Sequence, residues 1–318
     1  MRFFDFYKKN IEAFIEDKKI NRDFVSGVQK DGRGNISPVT IILPTLAMEA
    51  GCDVEKFMTL LSQKIDEAKD TLLERYELIC SQPAEAAKFM YENHTMAGYI
   101  PEEGIRSAIQ NGTNVIGQLG DAEALQLLLG CNQTKPEGME LLKRIEQLYN
   151  DKCNQFKKEY NLNFGVYYTP AENLCHTALE KFRDKYGIIE NVSDKEFFTN
   201  SMHIPVWEKV SVFEKINIES QLTGYSNAGC ITYVEFDSTA KNNLGALEKV
   251  INYAMDKDIP YFAVNVPNDT CEDCGYTDEI GEECPICGGK NIKRLRRVTG
   301  LSNNLTGNAQ YEKTIVNL

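Results

Sequence analysis

Along this chain the spacing of apolar positions keeps changing, from the short runs of strands to the 3.6-residue period of helices and back. Val39-Thr-Ile-Ile-Leu43 is a β-branched run stopped by Pro44, and Asp53 then caps a helix whose Phe57, Met58, Leu61, Ile65, Ala68 and Leu72 share one face. A second amphipathic helix is predicted from about Glu137 to Tyr160, where Leu142, Ile145, Leu148, Cys153 and Phe156 recur near helical spacing. Residues 163–168 read as a strand ending at Thr169-Pro170, where proline can open the next helix, over 171–182, without losing a needed N–H. Farther on, 229–236 reads as a strand, 243–255 as a helix and 261–265 as a strand closed by Pro267. Strand–helix alternation with short loops predicts an α/β sheet or barrel with its functional groups on strand-end loops.

Composition narrows the class. With 318 residues and 42% hydrophobic content the chain can bury a substantial core, as two domains or one large α/β unit. No apolar run is long enough to span a bilayer and the first residues do not read as a secretory signal, so a cytoplasmic protein without membrane contact is expected. A formal net charge of −12 opposes phosphate tracking, so no direct nucleic-acid contact is expected, although Lys290, Lys293, Arg294, Arg296 and Arg297 form a local basic cluster. Of the ten cysteines, Cys52, Cys80, Cys131, Cys153, Cys175 and Cys230 are scattered singly and read as small hydrophobes.

The other four form a set. Cys271-Glu-Asp-Cys274-Gly275 and Cys284-Pro-Ile-Cys287-Gly288 are two C-x2-C-G knuckles that could gather one tetrahedral Zn²⁺, each glycine letting the chain turn tightly around its sulfurs. A disulfide pair is the alternative use of the same residues. Polar clusters occupy two loops. Thr169-Pro-Ala-Glu172 would suit an anion at a helix start, or be a plain cap. Phe198-Thr-Asn-Ser-Met-His-Ile-Pro205 groups Thr199, Asn200, Ser201 and His203 before a proline, as a binding patch or a polar turn. His94 and His176 have no sequence partner that would make a metal or catalytic set.

Taken in order, Gly32-Arg-Gly-Asn35, Ile42-Leu-Pro44 with Ala47-Met-Glu49-Ala50, Ile116-Gly-Gln-Leu-Gly120 with Glu123, Asn163-Phe with Thr169-Pro-Ala-Glu172, and Phe198-Thr-Asn-Ser201 with His203-Ile-Pro205 resemble the anaerobic (class III) ribonucleotide reductases. The segment 229–235, the double knuckle and Arg297-Val-Thr-Gly300 continue the series, from about Asp31 to Glu312. The resemblance implies reduction of ribonucleotides to deoxyribonucleotides inside a glycyl-radical-enzyme α/β barrel. It also implies a structural zinc region presenting a glycine, here Gly300, from which a radical-SAM activating enzyme removes hydrogen with AdoMet and its own 4Fe–4S cluster. A glycine suits a Cα radical, because no side chain opposes the planar geometry that delocalises it. By the same resemblance Asn35 lies near the substrate ribose, and Thr169, Glu172, Asn200, Ser201 and His203 belong to the substrate pocket.

The expected organisation is a helical extension over 1–30, a partial barrel over 31–268, a zinc ribbon over 269–292 and the glycyl radical loop and tail over 293–318. Departures from the family are also visible. The cysteine that receives the radical normally precedes the segment resembling Gly32–Asn35, whereas no cysteine stands before Cys52, and Gly300 is followed by Leu301-Ser302 where Tyr-Leu is usual. A separate N-terminal reductase chain bearing that cysteine is therefore the expected partner, and a homodimer is a further option. A truncated or decayed reductase, a stand-alone glycyl radical carrier and a zinc-ribbon binding module are the alternatives.

Overall fold

The structure, a computed structural model, describes residues 34–293 apart from 94, 97, 169, 170, 237, 267 and 268. The described residues divide into two compact units: one takes Gly34 and 78–112, the other takes 35–77 and 113–293.

The larger unit opens with β1 (Asn35–Ile42), α1 (Leu43–Glu49) and α2 (Val54–Cys80), whose last turn enters the smaller unit. Pro44 does more than stop a strand: it stands in the first turn of α1, a helix the sequence pattern missed. Asp53 caps α2 as expected, its Oδ1 accepting from the Lys56 amide at 2.8 Å. In the smaller unit, α3 (Lys88–Glu92) and α4 (Ile105–Ile109) flank a turn where the Ser107 hydroxyl accepts from the Ile100 amide at 2.8 Å and donates to Gly104 O at 2.7 Å. The Tyr91 and Tyr99 rings meet there at a tilt of 50°, with centroids 5.0 Å apart.

The chain returns as β2 (Thr113–Leu119), α5 (Asp121–Leu129), α6 (Pro136–Tyr160) and β3 (Asn163–Tyr167), and the three strands form a parallel sheet in the order β1-β2-β3. Parallel strands need helical crossovers, and α2 and α6 supply them. Their apolar faces meet the sheet in one core: Phe57, Leu61, Ile65 and Leu72 from α2, Leu142, Ile145, Tyr149 and Phe156 from α6, Ile116, Phe164 and Val166 from the strands. Each such side chain, fully buried, contributes about 1.5–3 kcal/mol relative to exposure.

Next come α7 (Glu172–Tyr186), α8 (Val212–Thr223), β4 (Thr232–Glu235), α9 (Leu244–Asp256) and β5 (Phe262–Asn265), with β4 and β5 parallel to each other. Residues 227–229 join the two sheets by running beside β3: the Ala228 amide donates to Val166 O at 3.1 Å and the Tyr168 amide to Gly229 O at 3.0 Å. Gly165 permits this approach, since a Cβ there would lie 2.7 Å from Asn227 Oδ1 and 2.9 Å from the Ala228 methyl. The fold is α/β, as the alternation predicts. Among the described residues β1 pairs only with β2 and β5 only with β4, so each keeps one strand edge unpaired.

Candidate functional site

The four knuckle cysteines stand on a small ribbon of β6 (Asp269–Cys271), β7 (Thr277–Asp278) and β8 (Ile292–Lys293), antiparallel in the order β7-β6-β8. Both knuckles close the same way. The Gly275 amide donates to Cys271 O at 2.8 Å and the Gly288 amide to Cys284 O at 2.9 Å, with both glycines at positive φ (77° and 71°). Cys271 and Cys287 bring their sulfurs to 3.6 Å, as do Cys274 and Cys284, and all four lie within 4.8 Å of one another. A tetrahedral ion with bonds of about 2.3 Å needs sulfurs about 3.8 Å apart, so the four thiols fit a metal ion such as zinc. Sulfurs at 3.6 Å are far from the 2.05 Å or so of a disulfide, and all four cysteines are free.

A second polar assembly sits at the C-terminal ends of β2 and β3, where open parallel sheets place their ligands. Leu119, the last residue of β2, forms an antiparallel bridge with Asn200, and the Gly120 amide donates to Thr199 O at 2.9 Å. Asn200 Oδ1 accepts from the Ala171 amide at 2.9 Å and from Cys175 Sγ at 3.1 Å, so this side chain anchors the start of α7. Ser201 is fully buried with φ 42°. His203 places Nδ1 3.2 Å from Glu219 Oε1 and its ring 5.8 Å from that of Tyr233. Burial alone would raise the Glu219 carboxyl, but Lys215 and His203 beside it more than offset that and bring it down to about 2.

The predicted pocket residues therefore do not all converge. Asn200, Ser201 and His203 share the C-terminal end of the sheet, whereas Asn35 aligns with Thr113 at the opposite end of β2, about 20 Å away at strand rise. Asn35 Nδ2 donates to Ala228 O at 3.0 Å, on the segment that joins the two sheets. Thr169, the Glu172 side chain and Gly300 lie outside the described residues, as do 1–33 and 294–318.

Sequence reasoning did not foresee the buried acids beside this end of the sheet. Asp121, Glu123 and Glu146 are all essentially unexposed. Gln118, from β2, donates to Glu146 Oε1, and burial holds both Asp121 and Glu146 well above the ordinary carboxyl range, reinforced at Asp121 by the neighbouring Glu123 and at Glu146 by the neighbouring Asp121. Burial likewise pushes Glu123 up to about 7, against two hydrogen bonds from Thr199. A pattern of apolar residues cannot reveal buried acids, although Ile116-Gly-Gln-Leu-Gly120 with Glu123 stood out as a motif. The single cysteines behave as anticipated where buried: Cys153 and Cys230 are both pushed up to about 12, chiefly by desolvation.

The α/β fold resembles that of solved anaerobic ribonucleotide reductases. One of them superposes with a TM-score of 0.68 at 22% identity, over 85% of this chain and 42% of its own. The Thermotoga maritima enzyme crystallised with dATP and CTP gives 0.66 at 22% identity, over 85% and 42%. Sequence comparison carries the assignment further: the profile of the family described as anaerobic ribonucleoside-triphosphate reductase matches residues 5–313, and the chain belongs to that family. It is 31% identical to the Escherichia coli K12 enzyme of that name over 85% of this chain and 40% of the relative, and 32% identical to the bacteriophage T4 enzyme over 86% and 46%. The chain thus spans less than half the length of these relatives.

Proposed function

We propose that this chain is the C-terminal, glycyl-radical-bearing part of an anaerobic ribonucleotide reductase. The observation that carries this reading is the family match over 5–313, which includes four thiols gathered for one metal ion shortly before Arg297-Val-Thr-Gly300. In this reading the ion is a structural Zn²⁺ that fixes the ribbon, 269–292, and so orders the segment beyond it. Gly300 holds the radical, generated by a radical-SAM activating enzyme with AdoMet. The ribonucleotide substrate is taken at the C-terminal end of the β1-β2-β3 sheet, where Asn200, Ser201 and His203 gather and where Thr169 and Glu172 follow β3 in sequence.

The unpaired edges of β1 and β5 support a further element of the reading. The body is one part of a barrel completed by strands from a separate polypeptide, which brings the radical-receiving cysteine. Work in DNA-precursor synthesis in an anaerobic cytoplasm follows from that chemistry, and a homodimer of such assemblies is compatible with it. Anaerobic treatment with the activating enzyme, AdoMet and a reductant tests the proposal directly. An organic radical signal that Gly300→Ala abolishes is the expected result; a silent wild-type chain, with its partner present and its zinc bound, defeats it. Co-purification of a strand-donating partner is expected alongside, and a stable monomer with closed strand edges contradicts the split barrel.

A further inference from the structure

We infer that Glu123 is a positioning residue for the candidate substrate site: its carboxylate fastens the 198–203 turn to the end of β2 and, through Asn200, sets the start of α7. The inference deepens the reading above by adding a residue to the same site. Glu123 lies in the first turn of α5, entered through Gly120 at φ 79°. A Cβ on Gly120 would meet the Pro44 ring at 2.5 Å, so the sharp entry that aims α5 depends on glycine. One oxygen of Glu123, Oε1, accepts twice from a single residue: from the Thr199 amide at 2.9 Å and from the Thr199 hydroxyl at 2.7 Å. The Thr199 carbonyl in turn accepts from the Gly120 amide at 2.9 Å.

Three hydrogen bonds thus hold Thr199 to the β2–α5 turn, two of them to a side chain that is 1% exposed. Water does not compete for such a buried acceptor, and a turn held by it is far better fixed than one held by surface polar groups. The next residue passes the constraint on. Asn200 bridges Leu119 through its backbone while its Oδ1 takes the Ala171 amide, so α5, the turn and α7 form one connected clasp. Ser201 and His203 follow within three residues, and Gln133 secures that stretch by donating to Met202 O at 3.0 Å and His203 O at 2.6 Å. Glu123 acts on this stretch through Thr199.

Hydrogen exchange on the full chain, followed by mass spectrometry, reads the clasp without requiring turnover. Glu123→Ala should speed exchange in 198–203 by about ten-fold or more and, through Asn200, raise it in 171–176 as well, while α6 stays protected. Glu123→Gln keeps an acceptor oxygen and should restore both segments. Thr199→Val, which removes only the hydroxyl, should give a smaller rise confined to the turn and guards against a Glu123→Ala chain that fails to fold. Unchanged exchange in the turn of both Glu123→Ala and Thr199→Val overturns the inference, as does a Glu123→Ala effect that stops at the turn and never reaches 171–176. Titration with CTP supplies the functional arm. Affinity should weaken about ten-fold in Glu123→Ala and recover in Glu123→Gln. Wild-type chain that takes no CTP, in the presence of its partner, counts against the proposed substrate site, whereas the exchange data still decide the clasp.

Discussion

The α/β body and the cysteine ribbon are two solutions to the same problem of fixing a chain. The body buries dozens of apolar side chains around one sheet, with Phe57, Leu61, Ile65, Leu142, Tyr149 and Phe164 fully enclosed. The ribbon has three very short strands and a core of Ile280, Cys271 and Cys284, with Tyr276 and Ile292 packed against it. So little apolar area cannot offset the entropy of ordering two dozen residues at roughly 1–2 kcal/mol each. The body is held by burial; in the proposed function the ribbon is held by the metal ion its four sulfurs could bind.

Metal removal should separate the two most sharply. Chelation, or Cys284→Ser, is expected to release zinc and open residues 269–293 to protease while the helical signal of the body stays in place. Structural zinc sites of this kind are worth about 10–16 kcal/mol. Loss of body helicity in step with zinc release would mean that the two regions fold as one. Leu61→Ala makes the opposite cut: a fully buried leucine of the α2–α6 core should cost about 2–5 kcal/mol in urea unfolding yet leave zinc content unchanged.

Acidity divides the body internally. Glu123, raised to about 7, stabilises the fold fully below the ordinary glutamate range, and that contribution is lost as pH climbs through 7. Glu219 runs the other way: lowered to about 2, it stabilises above the ordinary range and the benefit disappears as pH falls toward 2. Each shift corresponds to about 3 kcal/mol. Denaturation of Glu123→Gln across pH 5 to 8 should therefore show a flatter alkaline loss than wild type, and an identical slope would contradict the assignment. The smallest effect is expected at Ser211, which caps α8 in a reciprocal box with Glu214; Ser211→Ala should cost about 1 kcal/mol without touching zinc.

Legibility in the sequence differed between the regions for related reasons. The four cysteines announced the ribbon because metal ligation fixes residue type and spacing together. α2 and α6 were readable from their apolar stripes. β2 was not, since Asn114, Gly117 and Gln118 interrupt its apolar run, although Asn114 and Gln118 are wholly buried at the centre of the sheet. α1 was hidden because Pro44 reads equally as the end of a strand or the first turn of a helix. The 198–203 turn was visible as a polar cluster, but nothing local in the sequence signalled that Glu123, far upstream, holds it. Such pairings arise only when the β2–α5 turn and the turn after α7 are folded together.

Gly165 has a consequence for how this chain can vary. With no room for even a methyl between β3 and residues 227–228, the position admits no drift toward larger side chains unless the connecting segment moves as well. Alanine there would push against the span that carries the chain from the first sheet to the second, and sequence change in that span is tied to a residue more than sixty positions earlier.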